Sequence, residues 1–197
     1  MTPKIFTSLE REEIRIKMLN AGFDLIKEYG MTHTSVDKIM EAVGLKKSTF
    51  YNFFHSKEMF VYEIILLQRE KFWTYFDTVL SGREKVSVSE GKELLRTLFY
   101  NPDSIYQYLT QEDENKLQAA LPKEFFIDDN KEKNIVNVLL EHIDGVRSDI
   151  DFKLIANLMK ILAMVQESKN MLHGDALDRT LNALFNLMFS FIFNESR

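Results

Sequence analysis

Lys46, Lys47, Ser48, Thr49, Tyr51 and Asn52 fall within seven consecutive residues. They place cations, hydroxyls and one carboxamide on a short stretch of chain, beside the aromatic residues Phe50, Phe53 and Phe54. Such groups recognise a partner by hydrogen bonding and charge without making or breaking covalent bonds. A carboxamide can pair with the N6 and N7 edge of adenine, hydroxyls serve several base edges, and lysines neutralise phosphates. The chemistry legible here is nucleic-acid recognition.

Positioning these groups requires two short helices and a tight turn. Val36, Ile39, Met40 and Val43 recur at helical spacing, and Thr34 stands three residues before Asp37 as a capping pair. Gly44 ends that helix, because glycine reaches the left-handed conformation of a helix stop without steric cost. Leu45 follows as an apolar anchor, and Phe50 with Phe54 at four-residue spacing clamps a second helix against the first. Two helices joined through a short glycine-containing turn make a helix-turn-helix, whose second helix enters the major groove. Lys47, Ser48, Thr49, Asn52 and Phe53 are the groove candidates. Thr34, Ser35, Tyr51 and Lys57 are the phosphate candidates, because Thr34, Ser35 and Lys57 open helices whose free amides attract anions. Lys46 adds a cation at the turn. Taken singly, each residue has a plainer reading: Tyr51 and Phe53 as core, Thr34 as a cap, and Lys46, Lys47 and Lys57 as solvated charges. Their joint spacing favours DNA.

Composition narrows the alternatives. The 197 residues include no cysteine, which excludes disulfides and thiolate sites and fits a reducing compartment, with the cytoplasm as the default address. The net charge of −5 is uneven: residues 1–57 hold nine Lys and Arg against seven Asp and Glu, and the remainder holds sixteen against twenty-three. A mildly basic head on an acidic body suits a protein that docks DNA at one end. The most apolar segment, Leu181 to Phe193, is too short to cross a bilayer and carries Asn182, Asn186 and Ser190. No nucleophile elbow, phosphate-cradling glycine loop or dinucleotide fingerprint appears, so neither an enzyme nor a cofactor is expected. His33, His55, His142 and His173 lack metal-ligand spacing, and Glu141 beside His142 points to a different side of a helix. No metal site is expected.

The rest of the chain reads as all-α. Helix one should run from about Ser8 to Tyr29 and stop at Gly30; Ser56 should cap a long fourth helix ending near Ser81-Gly82. A fifth helix carries Leu94, Leu95, Leu98 and Phe99. Shorter ones are predicted over about 104–110, 111–121 and 128–144, with Pro122 and Gly145 as breakers. A final pair spans about 151–172 and 175–194. The last helix is apolar over more than one stripe, including Leu184, Leu187, Phe191 and Phe193, so something must cover its second face.

The run from Thr34 to Glu58 resembles the DNA-binding head of the TetR family of bacterial transcription regulators. The matching pieces are Gly30, Thr34-Ser35-Val36, and Ser48-Thr49-Phe50-Tyr51-Asn52-Phe53-Phe54-His55-Ser56-Lys57-Glu58. The likeness spans roughly residues 10 to 65. It departs at Lys46, where the family often has a capping serine, at Ser48, where glycine is usual, and at Phe53, where histidine or tyrosine is common. These departures bear on which sequence is read. The resemblance implies a three-helix helix-turn-helix head over 1–56 and a larger helical effector-binding and dimerisation body over 57–197. It further implies a palindromic double-stranded DNA operator, release by a small-molecule effector, repression as the usual sign, and a homodimer formed through helices 151–172 and 175–194. Trp73, Phe76, Phe99 and Met159 supply apolar material for an effector pocket, though core packing is the commoner reading of such stripes. A helical dimeric sensor without DNA binding is the alternative.

Overall fold

The computed structural model describes residues 7–99, 104–122 and 136–194. Among these the fold is helical, with two isolated single-residue β-bridges. The helices are α1 (Ser8–His33), α2 (Val36–Val43), α3 (Lys47–Phe50), α4 (Lys57–Leu80), α5 (Val88–Phe99), α6 (Gln111–Ala120), α7 (described over 136–141), α8 (Phe152–Glu167) and α9 (Leu177–Ile192). They divide into two compact units.

The first unit reaches as far as Glu70 and takes in the segment from Tyr108 that contains α6. It is therefore larger than the expected head of residues 1–56. The reason is physical: Phe60, Val61 and Ile64 at the start of α4 are buried, as are Asp113 and Leu117 of α6. α1 begins in a reciprocal cap, with the Thr7 hydroxyl accepting from the Glu10 amide and the Glu10 carboxylate accepting from the Thr7 amide. Gly30 breaks the helix at φ 76°, as its position predicts, but the chain then makes a further turn to His33. Gly44 closes α2 in the left-handed region at φ 72°, ψ 30°. Ser56 accepts from the Met59 amide at 3.0 Å and so starts α4.

Three rings hold this unit together. Phe50, Phe54 and Phe60 are each at most 1% exposed, with centroids 4.8 to 5.3 Å apart. Met18, Leu19 and Ile26 of α1 and Ile39 and Met40 of α2 are likewise fully buried. Gly22 of α1 lies directly under the Phe60 ring, where a β-carbon would overlap it. Because Phe60 is fixed by its two aromatic neighbours, it cannot swing aside. Gly22→Ala should therefore destabilise the fold by about 1 to 3 kcal/mol, as overpacking generally does, and lower the thermal midpoint. A melt indistinguishable from that of the parent would show that the ring has room to move.

The second unit buries Phe76, Leu94, Leu95, Leu139, Ile155, Leu162, Leu181, Phe185, Met188 and Ile192, among others. α4 ends at Leu80 because Ser81 and Gly82 both turn to positive φ. The bridges join Val86 to Ile143 and Val146 to Phe193. His142 sits between them in function: its Nδ1 lies 2.8 Å from the Glu84 carbonyl, to which it donates, and its ring meets Phe76 edge-on. The predicted helix over 104–110 is only a 3-10 turn at Ile105–Gln107. The first part of the predicted helix over 128–144, residues 128–135, lies outside the described residues; the described remainder is helical over 136–141. The penultimate helix stops at Glu167, short of the predicted 172, and the chain tightens into 3-10 turns at Lys169–Met171 and Gly174–Ala176. Asn170 and Gly174, poor helix formers, account for that break. No helix among the described residues is long and apolar enough to cross a membrane.

Candidate nucleic-acid interface

α3 is short, and it is set by what it buries. Phe50 and Phe54 point into the aromatic core, and the amides of Phe53 and Phe54 both donate to the Phe50 carbonyl at 2.9 Å. This bonding carries the helical path one turn beyond Phe50. The opposite side of the same turn is left to solvent: Lys46, Lys47, Ser48, Tyr51 and Asn52 are exposed, and Thr49 and Phe53 are half-buried. Tyr51 is 52% exposed and leans edge-on against Phe50, 5.4 Å between centroids. Lys46 occupies the N-cap position and makes no side-chain capping bond. Seven of the ten sequence-predicted residues thus sit on one short surface.

Lys47 already has a partner. Its ammonium lies 2.8 Å from a carboxylate oxygen of Asp37 in the first turn of α2, and that hydrogen bond holds its pKa above the ordinary lysine value. Both side chains are more than half exposed, so the pair contributes little to stability. Its consequence is for DNA: the carboxylate occupies the cation and would repel a phosphate. Asp37→Asn should tighten binding to any duplex and steepen the salt dependence by about one counterion, read from anisotropy titrations at several salt concentrations. Identical salt slopes would mean that the Asp37 carboxylate lies away from the duplex backbone.

Of the three remaining candidates, Ser35 lies exposed at the start of α2 as expected, while Thr34 and Lys57 are engaged within the fold. Thr34 is fully buried, and its hydroxyl donates to the Gly30 carbonyl at 2.9 Å. It cannot offer that hydroxyl to a phosphate, and it does not cap α2. Ser35 is the cap, accepting from the Lys38 amide at 3.2 Å. The Gly30 kink explains the shift by one residue, because it frees a carbonyl that the Thr34 hydroxyl then satisfies. Lys57 is half-buried with its ammonium donating to the Met31 carbonyl; burial lowers its pKa, against the opposing pull of Glu58 and Asp113. It serves the turn between α1 and α2 before it serves any phosphate.

α1 contributes a row of cations that sequence reading missed. Arg11 donates to the Asn52 carbonyl at 3.1 Å and lies over the Phe53 ring at 4.7 Å. Lys17 donates to the Val43 carbonyl at 3.2 Å, and Arg15 pairs with Glu63 of α4. Each fastens α1 to a different element of the head. The acceptors at Val43 and Asn52 are backbone carbonyls, which carry no mark in a sequence. The cation over Phe53 also means that this ring is packed on one side by Arg11 and not freely presented to solvent.

A buried aromatic scaffold that presents a short polar helix beside the capped start of a second one defines a helix-turn-helix DNA-binding domain. Residues 18–64 match the family model described as bacterial regulatory proteins, tetR family. Solved structures share the fold along nearly the whole chain. One, described as the molecular basis for control of antibiotic production by bacterial hormones, superposes with a TM-score of 0.66 at 18% identity, covering 92% of this chain and 98% of the other. The fatty acid degradation regulator FadR from Bacillus halodurans gives 0.59 at 18% identity, covering 95% and 97%. The transcriptional regulator FadR from Bacillus subtilis, in complex with stearoyl-CoA, gives 0.53 at 18% identity, covering 90% and 98%. Among curated proteins none matches. Residues 18–64 thus match the helix-turn-helix DNA-binding domain of the TetR family, and the chain shares its fold with the solved structures named above.

Proposed function

We propose that the chain is a cytoplasmic, non-enzymatic repressor that binds a palindromic operator as a homodimer and leaves it when a small-molecule effector binds. The observation that carries the reading is the two-sided α3, with Phe50 and Phe54 locked inward while Lys47, Ser48, Thr49 and Asn52 face out. In the groove Asn52 would pair with a base edge, Ser48 and Thr49 would serve further edges, and the Phe53 rim would touch a thymine methyl. Ser35 with the α2 amides, Tyr51, Lys46 and Lys57 would hold phosphates, Thr34 supporting them from beneath.

Dimerisation is supported by an apolar stripe on α8 and α9 opposite the one that packs the core. Ile161 and Met164 on α8, and Leu187 and Phe191 on α9, are 38 to 65% exposed at helical spacing. The effector class rests on fold likeness alone. The Bacillus subtilis FadR relative, solved with stearoyl-CoA, makes a fatty acyl-CoA the first candidate. An effector that prefers a conformer with a shifted α4 would change the separation of the two heads, and a coupling of about 1 to 3 kcal/mol would weaken operator binding about 5- to 150-fold.

Selection of bound fragments from the source genome, followed by anisotropy titration with and without stearoyl-CoA, tests each part. A palindrome with half-sites one helical turn or a multiple apart supports the reading. No binding to any duplex in low salt would leave the helical sensor without DNA binding. Operator binding indifferent to stearoyl-CoA would remove that effector class and leave the operator.

A further inference from the structure

Asp113 has no part in the surface just described, yet it is among the most buried polar groups of the described residues, 2% exposed. Its two oxygens are engaged in different directions. Oδ2 accepts from the Thr110 amide at 3.1 Å and the Thr110 hydroxyl at 2.9 Å, completing the cap of α6. Oδ1 accepts from the Thr32 hydroxyl at 3.0 Å, a residue 81 positions earlier at the end of α1. Burial alone would raise the carboxyl pKa, but the Thr110 and Thr32 donors and nearby Lys116 outweigh it and hold the group below its ordinary value. A capping acid needs only the first set of bonds, and in that role it is ordinarily left in water. Taking a carboxylate out of water is costly unless several donors meet it. The second set serves something other than α6.

What it serves is the turn that leads into α2. Three polar groups there are gripped: the Met31 carbonyl by the Lys57 ammonium, the Thr32 hydroxyl by Asp113 with Lys116 3.4 Å away, and the Gly30 carbonyl by the Thr34 hydroxyl. Gly30 itself supplies no rigidity, since its φ of 76° is open to many conformations. The next residue along, Ser35, opens the helix whose amides would meet a phosphate. All of these groups lie in the one compact unit.

We propose that Asp113 is a positioning residue for DNA binding: through Thr32 it sets the turn that aims the N-terminus of α2 at the backbone. The inference rests on the proposed operator-binding function, but its structural part can be tested without DNA. Thr32→Val is the informative variant, because Thr32 is exposed, the change is nearly isosteric, and the α6 cap is left intact. In the free full-length protein, amide hydrogen exchange over residues 31–40 should speed up about tenfold, while the aromatic core stays protected. Duplex affinity should fall about 2- to 10-fold, the equivalent of one ordinary hydrogen bond, with a salt slope smaller by about one. The double variant Thr32→Val/Asp113→Ala should bind no more weakly than Asp113→Ala alone, since both remove one contact.

Unchanged exchange over 31–40 overturns the proposal, as does unchanged affinity when the parent protein binds, or strict additivity in the cycle. If the parent binds no duplex at all while Thr32→Val still loosens residues 31–40, the latch stands and the operator reading fails.

Discussion

The double variant Thr49→Ala/Asn52→Ala should lose its preference for the operator while still binding duplex DNA in low salt. Neither side chain supports the core: Phe50 and Phe54 do that, and Asn52 is exposed. Substitutions on such a surface ordinarily change stability by less than about 0.5 kcal/mol. A good base-edge contact discriminates by about 1 to 3 kcal/mol, so losing two should reduce the ratio of operator to scrambled-duplex affinity by at least about 30-fold. The lysines remain, so the salt-dependent component should survive nearly intact. Paired anisotropy titrations on the two duplexes measure the ratio directly. An unaltered ratio would show that bases are read elsewhere, and attention would turn to the cations of α1.

The second large effect concerns assembly. Leu187→Glu/Phe191→Glu places two carboxylates in the apolar stripe of α9, on positions 46% and 38% exposed and away from the core positions Leu181, Phe185 and Met188. The single chain should fold as before, because these side chains already meet solvent. A paired seam should not tolerate them, since an unpaired charge cannot be buried cheaply. Sedimentation should then give a monomer. Operator affinity should drop about 10²- to 10⁴-fold, the gain that linking two heads otherwise provides. A variant that remains dimeric would move the interface to another face, and a parent that is already monomeric would remove the palindrome.

How much of this was legible in advance follows the range of the interactions. Gly44, Ser56 and the Phe50–Phe54 pair act over at most four residues, and each was placed correctly by local rules. The α2 cap was misread by one residue. Thr34 and Ser35 are equally good caps on paper, and only the Gly30 carbonyl, exposed by the kink, decides which hydroxyl is taken. The early stop of α8 was likewise a balance between weak propensities near Asn170 and Gly174. Arg11 on the Asn52 carbonyl and Asp113 on Thr32 join residues 41 and 81 positions apart. Nothing in their neighbours announces those contacts, because the partners meet only after the core has brought their helices together. The surface residues of α3 could be read because they are what remains once the anchors are assigned. The cations and carboxylate that hold α3 and α2 in place could not.

Gly22 carries a mechanical consequence. Where its backbone meets the Phe60 ring there is no side chain to compress and no gap to slide into. Translation of the start of α4 along α1 would drive the ring into the main chain, and Phe50 and Phe54 block the ring's own rotation. The first turns of α4 can therefore tilt only by carrying α1 with them. The start of α4, α1 and the Phe50–Phe54 pair are in this way keyed together through a single ring, so the backbone of one helix sets the seat of the next.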